Sequence, residues 1–159
     1  MNNYHIIKTH WSEHKNALSD IRTCVFMQEQ QVSAEDEWDD KDETAIHFLV
    51  TTLEHQALGC ARLLIEDDLL HIGRVAIVTS HRNQGIGTRL MKYILEECAQ
   101  QFPHYSIYLH AQTTRIAFYQ RLGFTRQGHV FMDAGIPHQA MWFNNTLGQI
   151  VSNSELHKR

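Results

Sequence analysis

The chain has 159 residues, of which 43% are hydrophobic and 20% are charged, and its formal net charge is -4. This length suits one domain with a hydrophobic core. The acidic balance gives no reason to expect nucleic acid as a partner, because nucleic-acid-binding proteins usually carry a basic face. No apolar run approaches the roughly 18 residues of a membrane-spanning helix.

The cysteines and the opening segment predict the cellular compartment. Cys24, Cys60 and Cys98 are odd in number and far apart, which favours reduced thiols over a disulfide framework. The opening "MNNYHIIKTHW" lacks the basic and long apolar regions of a signal peptide. We therefore expect a soluble cytoplasmic protein without nucleic-acid or membrane partners.

The first half of the chain predicts one strand, one helix and three further strands. "YHIIK" is typical of a short strand, and apolar residues at helical spacing predict an amphipathic helix from about Ser12 to Phe26. The acidic stretch "EQQVSAEDEWDDKDETA" breaks this spacing and predicts an exposed loop. "IHFLVTTLE", "QALGCARLLIE" and "LLHIGRVAIV" then predict neighbouring strands of one sheet.

The second half predicts two helices and three strands. A broad apolar stripe that includes Ile86, Leu90 and Ile94 predicts a helix directly after "NQGIG". The strand "YSIYLHAQ" follows, and then a short helix in "RIAFYQRLGF" that stops at Gly123. "TRQGHVFMDAGIPHQAMWF" predicts two last strands joined by a turn at Gly135 to Pro137.

These elements predict an α+β fold in one domain, with a central mixed, mostly antiparallel sheet flanked by helices. The polar tail from about Asn144 is predicted to be poorly ordered.

The segment "RNQGIG" carries the clearest functional signal. A helix start binds anions well, because its first backbone N–H groups lack an intrahelical partner and the helix dipole is positive there. Gly85 and Gly87 remove Cβ atoms that would hold phosphate oxygens away, while Arg82 adds a cation and Thr88 a hydroxyl donor. The segment predicts a pyrophosphate cradle, although glycines that only close a strand-to-helix turn would show the same spacing.

Other ligand-binding motifs fit the chain poorly. Leu90 occupies the third small position of a Rossmann fingerprint, and no P-loop sequence is present. The acidic stretch lacks the glycine that an EF-hand needs at the sixth position of its loop. His10 and His14 have the spacing of two zinc ligands on a helix, but no third ligand follows at a recognisable spacing, so we expect no metal.

Two separated motifs resemble the GNAT superfamily of acetyl-CoA-dependent N-acetyltransferases. The core motif R/Q-x-x-G-x-G/A is met by Arg82 to Gly87, and the downstream motif F/L-Y-x-x-x-G-F is met by Phe118 to Phe124. "IRTCVFMQEQQV", "EWDDKD", "GRVAI", "HAQ" and "GIPHQAM" further resemble the bacterial ElaA-like and YjcF-like subgroup. The resemblance spans roughly residues 20 to 143. It implies one N-acetyltransferase domain over residues 1–143, followed by the polar tail over 144–159.

The resemblance implies acetyl-CoA as a co-substrate and assigns its contacts. Backbone groups of Ala76, Ile77 and Val78 would face the pantetheine arm, which pairs with a strand edge as an added strand does. Gln112 stands where many relatives have an asparagine that touches this arm. The residues implied to hold the pyrophosphate are Arg82, Asn83, Gln84, Gly85, Ile86, Gly87 and Thr88.

Acetyl transfer to an amine also needs a donor for the oxyanion and an acid for the leaving thiolate. The resemblance implies the Ile77 N–H as the oxyanion donor. Tyr119 matches the family tyrosine proposed as the acid, and a packed aromatic residue on a short helix is the alternative interpretation.

The proton acceptor is less clear, because this chain has Arg74 in "HIGRVAI" where many relatives place a glutamate. The candidates are Glu29, His71, His110 and a chain of water molecules. We prefer Glu29, because the subgroup's "EQ" element follows the first helix, which flanks the acceptor cleft in this fold.

Five further residues are candidates for the acceptor pocket. Asp39, Asp42 and His47 match subgroup positions in and after the acidic stretch, and the alternative interpretation of this stretch is a solvated loop. Asp133 and His138 surround the predicted turn, where they either line the acceptor pocket or stabilise the hairpin.

The resemblance predicts direct acetyl transfer from the thioester to a primary amine. A small amine, a polyamine, an aminoglycoside, a peptide N-terminus and a lysine all remain open as the acceptor. The cysteines lack the neighbours of an activated nucleophile, so no covalent enzyme intermediate is expected. The alternative is a non-catalytic acyl-CoA-binding or sensing module, which the missing strand glutamate motivates. Relatives are often dimers, so the resemblance also implies a homodimer as a candidate assembly.

Overall fold

Eight strands form one sheet in the computed structural model, which describes residues 3–144 of the chain. The strands are β1 (Tyr4–Thr9), β2 (Ile46–Thr52), β3 (Ala57–Glu66), β4 (Leu69–Ile77), β5 (Ser106–Gln112), β6 (Phe124–Arg126), β7 (Phe131–Asp133) and β8 (Ile136–Phe143). Their order is β1-β2-β3-β4-β5-β8-β6, and β7 also pairs with β8. Within the described residues, β4 and β5 are the one parallel pair and the remaining pairs are antiparallel.

Helices cover both faces of this sheet. They are α1 (Trp11–Arg22), α2 (Ala34–Glu37), α3 (Ile86–Gln101) and α4 (Ile116–Arg121). A π-helical segment over Thr23–Glu29 continues α1, and 3₁₀ turns over Thr79–His81 and Thr113–Arg115 precede α3 and α4. The mixed, mostly antiparallel sheet flanked by helices confirms the predicted fold class.

The last part of the sheet differs from the prediction in two details. Three strands rather than two follow α4, because the segment after β6 adds the three-residue β7 before β8. The turn between β7 and β8 lies at Ala134 and Gly135, whose φ angles are 51° and 76°. Two central residues with positive φ match the twist of a hairpin, so the turn closes there and Pro137 already belongs to β8. The predicted tail from residue 145 onward lies outside the described residues.

Each face of the sheet buries its own apolar layer. On one face, Leu90 and Ile94 of α3 are fully buried against strand residues such as Ile72. On the other face, Leu18 of α1 and Val25 of the π-helical segment pack over the sheet. Burying each such side chain contributes about 1.5–3 kcal/mol, so the two layers fix the helices on the sheet.

A β-bulge interrupts β4 in the middle of the sheet. A register shift between β3 and β4 leaves two residues, Arg74 and Val75, opposite the single residue Ala61. Arg74 adopts a left-handed conformation with a φ of 51°. Because bulges bend the strand that carries them, β4 changes direction at this point.

The two parallel strands separate beyond this bend. β4 and β5 are paired from Leu69 and Ser106 to Ile72 and Leu109, and no register pair joins them after that. The last part of β4 therefore has β3 on one side and an open edge on the other. The sheet is split between β4 and β5.

The acidic stretch is exposed over most of its length, as the sequence predicted, but two of its carboxylates are buried. Glu37 and Asp42 are only 2% and 7% exposed. Both bind the buried guanidinium group of Arg22, whose Nε donates to Glu37 Oε2 at 2.7 Å and whose Nη1 donates to Asp42 Oδ1 at 2.6 Å. The rings of Trp11 and Trp38 lie 5.6 and 4.8 Å from the guanidinium carbon. The carboxylates are thus drawn inward by a buried cation.

Two strand arginines complete what we call the ionic cluster, which consists of Arg22, Arg62, Arg74, Glu37, Asp39 and Asp42. Arg62 Nη1 donates to Asp39 Oδ1 at 2.8 Å and to Asp42 Oδ1 at 3.2 Å. Arg74 Nε donates to Glu37 Oε2 at 2.9 Å. Burial opposes the charged form of Asp39, but the hydrogen bonds and charge of Arg62 outweigh it and lower the pKa of that carboxyl. Removing one partner from such a cluster typically costs about 3–5 kcal/mol.

We predict that His71 makes the free energy of unfolding depend on pH. Burial lowers the pKa of His71 from 6.5 to about 4. The unfolded chain therefore binds a proton at this imidazole before the folded chain does, and stability falls as the pH drops from 7 to 5. His71 contributes about 2 kcal/mol to that loss. The variant His71→Phe can keep the ring stack on Tyr108 but has no titrating group at this position. Its free energy of unfolding, measured by urea unfolding at pH 7 and pH 5, should therefore lack this contribution.

His5→Phe provides the control, because His5 is exposed on β1. This variant should lose as much stability between pH 7 and pH 5 as the unmodified chain. An equally steep loss in the His71→Phe variant would contradict the prediction.

Candidate active site

The split between β4 and β5 opens into a cleft of about 780 Å³. One end is formed by the turn before α3 and by α4, and the walls continue along β4 and β5. The other end reaches Glu37 and Arg74 of the ionic cluster and the hairpin of β7 and β8. The cleft therefore joins the predicted pyrophosphate cradle to the region of the predicted acceptor pocket.

The start of α3 leaves backbone donors free at the first end of the cleft. Gly85 is the N-cap residue with a φ of 81°, and no side chain caps the helix. The first helical bond runs from the Arg89 N–H to the Gly85 carbonyl at 3.1 Å. The N–H groups of Ile86, Gly87 and Thr88 precede that bond and have no intrahelical partner. A Cβ atom on Gly85 would meet nothing within 4 Å, so the residue faces open space.

The structure brings most of the predicted cofactor contacts together in this cleft. The ones that line it are Ala76, Ile77, Arg82, Asn83, Gly85, Ile86, Gly87, Thr88 and Gln112. Val78 and Gln84 are not among the lining residues. The Val78 N–H donates to the Leu58 carbonyl at 2.9 Å, so it points to β3 and not to the open edge.

Ile77 presents its backbone to the open edge of β4. Successive residues of a strand point their backbone groups to opposite sides, so the Ile77 N–H points away from β3 when the Val78 N–H points toward it. The Ile77 carbonyl shares this side, where it accepts a hydrogen bond from Arg82 Nε at 2.8 Å. The N–H predicted to bind the oxyanion is thus directed into the split.

Glu29 and Arg82 face each other across the mouth of the cleft. Arg82 Nη2 donates to Glu29 Oε1 at 2.7 Å, and the Thr79 hydroxyl donates to the same oxygen at 3.2 Å. The hydrogen bond from Arg82 lowers the pKa of Glu29. A carboxylate with a lowered pKa is a weaker proton acceptor, so this geometry suits Glu29 better to hold Arg82 than to act as the base.

Gln112 at the end of β5 is held by a residue that the sequence did not single out. Its Nε2 donates to Gln30 Oε1 at 2.8 Å. Gln30 directly follows Glu29, the last residue of the π-helical segment. The end of this segment therefore contacts both sides of the split: Glu29 binds Arg82 in the turn before α3, and Gln30 binds Gln112 on β5.

Tyr119 lies on α4 and lines the cleft while being only 8% exposed. Its ring packs edge-on against Phe118 and Phe124 at centroid distances of 4.9 and 5.9 Å. Burial raises the pKa of Tyr119 to about 12, so the phenol carries its proton at neutral pH. The residue is both a packed aromatic and a proton carrier at the cleft, and the two interpretations are compatible.

Three histidines and Asp133 line the other end of the cleft. The centroids of the His71 and His110 rings lie 4.9 Å apart, and burial lowers the pKa of both side chains. His138 Nδ1–H donates to the Ile136 carbonyl at 2.7 Å, which fixes the orientation of the ring. These residues, including the predicted Asp133 and His138, are brought together by β4, β5 and the hairpin of β7 and β8.

The remaining predicted acceptor residues do not line this cleft. Asp39 and Asp42 bind arginines of the ionic cluster, and Asp42 also borders a separate shallow pocket with Trp11 and Trp38. His47 is buried, and its Nε2–H donates to the Asp42 carbonyl at 2.9 Å. Their positions fit a role in supporting the ionic cluster.

Glu37 is a second cleft residue, after Gln30, that sequence reasoning did not single out. Its side chain is 3% exposed and bound by Arg22 and Arg74, yet the residue lines the cleft. The sequence nevertheless contains a signal for a buried carboxylate. Three arginines lie within apolar helical and strand segments, which are "DIRTCVF", "GCARLLI" and "HIGRVAI". A guanidinium group that is buried with such a segment requires a carboxylate partner. The nearby acidic stretch is the source of such partners.

Of the two histidines with the spacing of zinc ligands, His14 makes a hydrogen bond within the protein. His14 Nδ1 is hydrogen-bonded to the Thr9 hydroxyl at 2.7 Å. Residues 3–144 contain no group of three side chains arranged to hold a metal ion. No helix within that range is long and apolar enough to cross a membrane.

The fold and the split define the class of protein. The structure is similar to crystal structures of an acyl-CoA N-acyltransferase from Pseudomonas aeruginosa and of Escherichia coli ElaA, with TM-scores of 0.81 and sequence identities of 29% and 31%. Each comparison covers 89% of this chain and 99% of the other. Residues 16–144 match the family model described as an acetyltransferase (GNAT) domain, and the chain therefore belongs to the GNAT acetyltransferase family.

Sequence relatives agree with this assignment and with the predicted subgroup. The uncharacterized N-acetyltransferase YjcF of Bacillus subtilis (strain 168) is 34% identical over 122 residues, which cover 76% of this chain and 86% of YjcF. Protein ElaA of Escherichia coli (strain K12) is 35% identical over 129 residues, which cover 79% of this chain and 84% of ElaA. The chain is a transferase of the kind that moves acyl groups.

We predict that Gly85→Ala weakens coenzyme A binding by at least about tenfold, because the new methyl group enters the open space beside the free N–H groups. Isothermal titration calorimetry measures the effect. The positive φ of Gly85 also makes any side chain there cost about 1–2 kcal/mol of stability.

Gly128→Ala separates these two effects. Gly128 has a φ of 80° and equally open surroundings, but it does not line the cleft. This variant should lose similar stability and bind coenzyme A as the unmodified chain does. Equal affinities in the two variants would show that the turn before α3 does not hold the ligand.

Proposed function

We propose that the chain transfers an acetyl group from acetyl-CoA directly to a primary amine. The observation that carries this proposal is the split of the sheet beside a helix start with free N–H groups. Such a site offers a diphosphate its anion-binding donors and offers an amide-bearing arm an open strand edge. Both features belong to one cleft, so one ligand of sufficient length can use them together.

The donor would bind with its diphosphate at the N–H groups of Ile86, Gly87 and Thr88. Its pantetheine arm would then run along the open edge of β4 toward Ile77. Gln112 lies on the opposite wall and can hydrogen-bond the arm once it releases Gln30. This direction brings the thioester to the middle of the cleft, between the cradle and the histidines.

The acetyl group then passes directly from the sulfur of coenzyme A to the amine nitrogen. The neutral amine nitrogen attacks the thioester carbonyl carbon, and the Ile77 N–H donates to the oxygen that becomes negative. The new C–N bond forms, the C–S bond breaks, and Tyr119 gives its proton to the leaving sulfur. The nitrogen loses one proton, so the products are an acetamide and coenzyme A.

We propose His110 as the group that takes this proton. It lines the cleft, and its lowered pKa keeps the imidazole neutral and able to accept a proton at neutral pH. His71 is a weaker base with a pKa of about 4. Glu29, preferred on the sequence alone, is committed to Arg82.

The positions of the cysteines support direct transfer. None of Cys24, Cys60 and Cys98 lines the cleft. Burial raises the pKa of the Cys60 and Cys98 thiols to about 12, which keeps them protonated and unreactive. An acetyl-cysteine intermediate therefore has no residue to form on at the cleft.

The proposal is tested by thiol release from acetyl-CoA across a panel of primary amines. Release that depends on the amine, with a matching acetamide product identified by mass spectrometry, is the expected result. Binding of acetyl-CoA without turnover on any amine would instead favour the acyl-CoA-binding or sensing module.

We predict that Tyr119→Phe lowers kcat by about 100-fold or more, because the thiolate then leaves without an acid. The dissociation constant for acetyl-CoA should stay within about twofold, since the ring and its packing remain. Tyr93→Phe is the control, because Tyr93 packs on α3 outside the cleft. An unchanged kcat in Tyr119→Phe would remove this residue as the acid.

A further inference from the structure

Arg62 differs from the other two arginines of the ionic cluster in its Nε atom. Arg22 Nε and Arg74 Nε both donate to Glu37 Oε2, at 2.7 and 2.9 Å. Within residues 3–144, the buried Arg62 Nε has no hydrogen-bond partner. Buried polar groups of native proteins nearly always have a partner, because an unpaired buried donor is destabilising. The cleft can supply this partner, since Arg62 is only 4% exposed and yet lines the cleft.

The guanidinium group of Arg62 is held in place by its other two nitrogen atoms. Nη1 donates to Asp39 Oδ1 at 2.8 Å and to Asp42 Oδ1 at 3.2 Å, while Nη2 donates to Asp39 Oδ2 at 2.9 Å. The two bonds to Asp39 are a bidentate pair, which fixes the orientation of a planar guanidinium group. The direction of the Nε–H bond is therefore fixed as well.

Gly73 leaves open space beside Arg62. The two residues are directly paired between β3 and β4, so their side-chain positions lie on the same face of the sheet, about 5 Å apart. Gly73 lines the cleft, and a Cβ atom on it would meet nothing within 4 Å. Its φ angle is not positive, so the backbone conformation does not require glycine. The missing side chain widens the cleft next to Arg62.

We propose that Arg62 and Gly73 form a specificity subsite that binds an uncharged oxygen atom of the acceptor, in a carbonyl or a hydroxyl group. The Nε–H of Arg62 donates to this oxygen, and the space at Gly73 holds the group that carries it. This inference rests on the proposed acetyl transfer and assigns two residues that select among amines.

The charges at this end of the cleft favour an uncharged oxygen over a carboxylate. The ionic cluster contains as many carboxylates as guanidinium groups, so the charge of Arg62 is balanced. Asp36 and Asp133 line the cleft as exposed carboxylates, which repel an entering anion. The lowered pKa values of His71 and His110 keep these two neighbours neutral at pH 7.

The subsite is separated from the reacting nitrogen. On β3, Gly59 is paired with Ile77 and Arg62 is paired with Gly73. These three steps along β3 correspond to about 10 Å. Because the thioester oxygen is proposed to lie at the Ile77 N–H, the acceptor must carry its amine and its oxygen at opposite ends of a chain of several carbon atoms.

Three amines of nearly the same shape test this inference on the unmodified chain. They are 5-aminopentanamide, 5-methylhexylamine and 5-aminopentanoate, which end in an amide, a branched hydrocarbon and a carboxylate. We expect kcat/KM for the amide to exceed that for the hydrocarbon by about tenfold or more, the contribution of one hydrogen bond to a charged donor. The carboxylate should be a poorer acceptor than the amide, because Asp36 and Asp133 repel it.

Gly73→Ala places a methyl group in the space beside Arg62. The amide then no longer reaches the Nε–H, so the ratio of kcat/KM for the amide to that for the hydrocarbon should fall to about one. The variant should fold, since no atom lies within 4 Å of the new Cβ and the φ angle is not positive. Thermal unfolding of the variant checks this.

Arg62→Lys removes the Nε–H and keeps a positive charge beside Asp39 and Asp42. The preference for the amide should again be lost. Arg22→Lys is the matched control, because Arg22 is also buried in the ionic cluster but does not line the cleft, and its Nε is bound to Glu37. This control should lose stability and keep the preference for the amide.

The outcomes separate this inference from the proposed function. Equal use of the amide and the hydrocarbon by the unmodified chain would mean that water satisfies Arg62 Nε, which would overturn the subsite and leave acetyl transfer standing. A preference for the carboxylate over the amide would overturn it as well. So would a preference for the amide that survives in Gly73→Ala. No turnover of any amine, with acetyl-CoA bound, would overturn the proposed function itself.

Discussion

The parting of β4 from β5 is the structural constraint on which the site depends. A strand edge inside a sheet leaves backbone donors and acceptors without partners, and such groups need a ligand, water or side chains. Here Arg82 already binds the Ile77 carbonyl, and the neighbouring N–H groups of α3 are free as well. The edge and the helix start border one cleft, and we propose that they bind a long ligand that has amides at one end and phosphates at the other.

The ionic cluster explains how this split can persist in a small sheet. The bulge places Arg74 in a strained left-handed conformation, and its guanidinium is then held by Glu37 and Asp39. These carboxylates belong to the chain around α2 and are in turn fixed by Arg22 of α1 and Arg62 of β3. Charge pairing between four segments thus holds the bend in β4, at the expense of desolvating the charges.

The sequence predicted the parts of the molecule whose chemistry is local. Gly85 and the apolar stripe of α3 predict the position of the helix start from consecutive residues, and the class of fold follows from the alternation of strands and helices. Glu37 was missed because an acidic stretch looks solvated until its distant partners are known. β7 was missed because three residues carry no detectable alternation. The sequence could not identify the group that accepts the proton of the amine. Glu29 is excluded only by its ion pair with Arg82, and these two residues are far apart in the chain.

A crystal structure of the chain with coenzyme A bound is the most direct test of the central claim. The diphosphate should lie against the amides of residues 86–88, with the pantetheine arm in the split and hydrogen-bonded to the Ile77 backbone. A ligand whose diphosphate contacts other amides, or whose arm lies outside the split between β4 and β5, would contradict it.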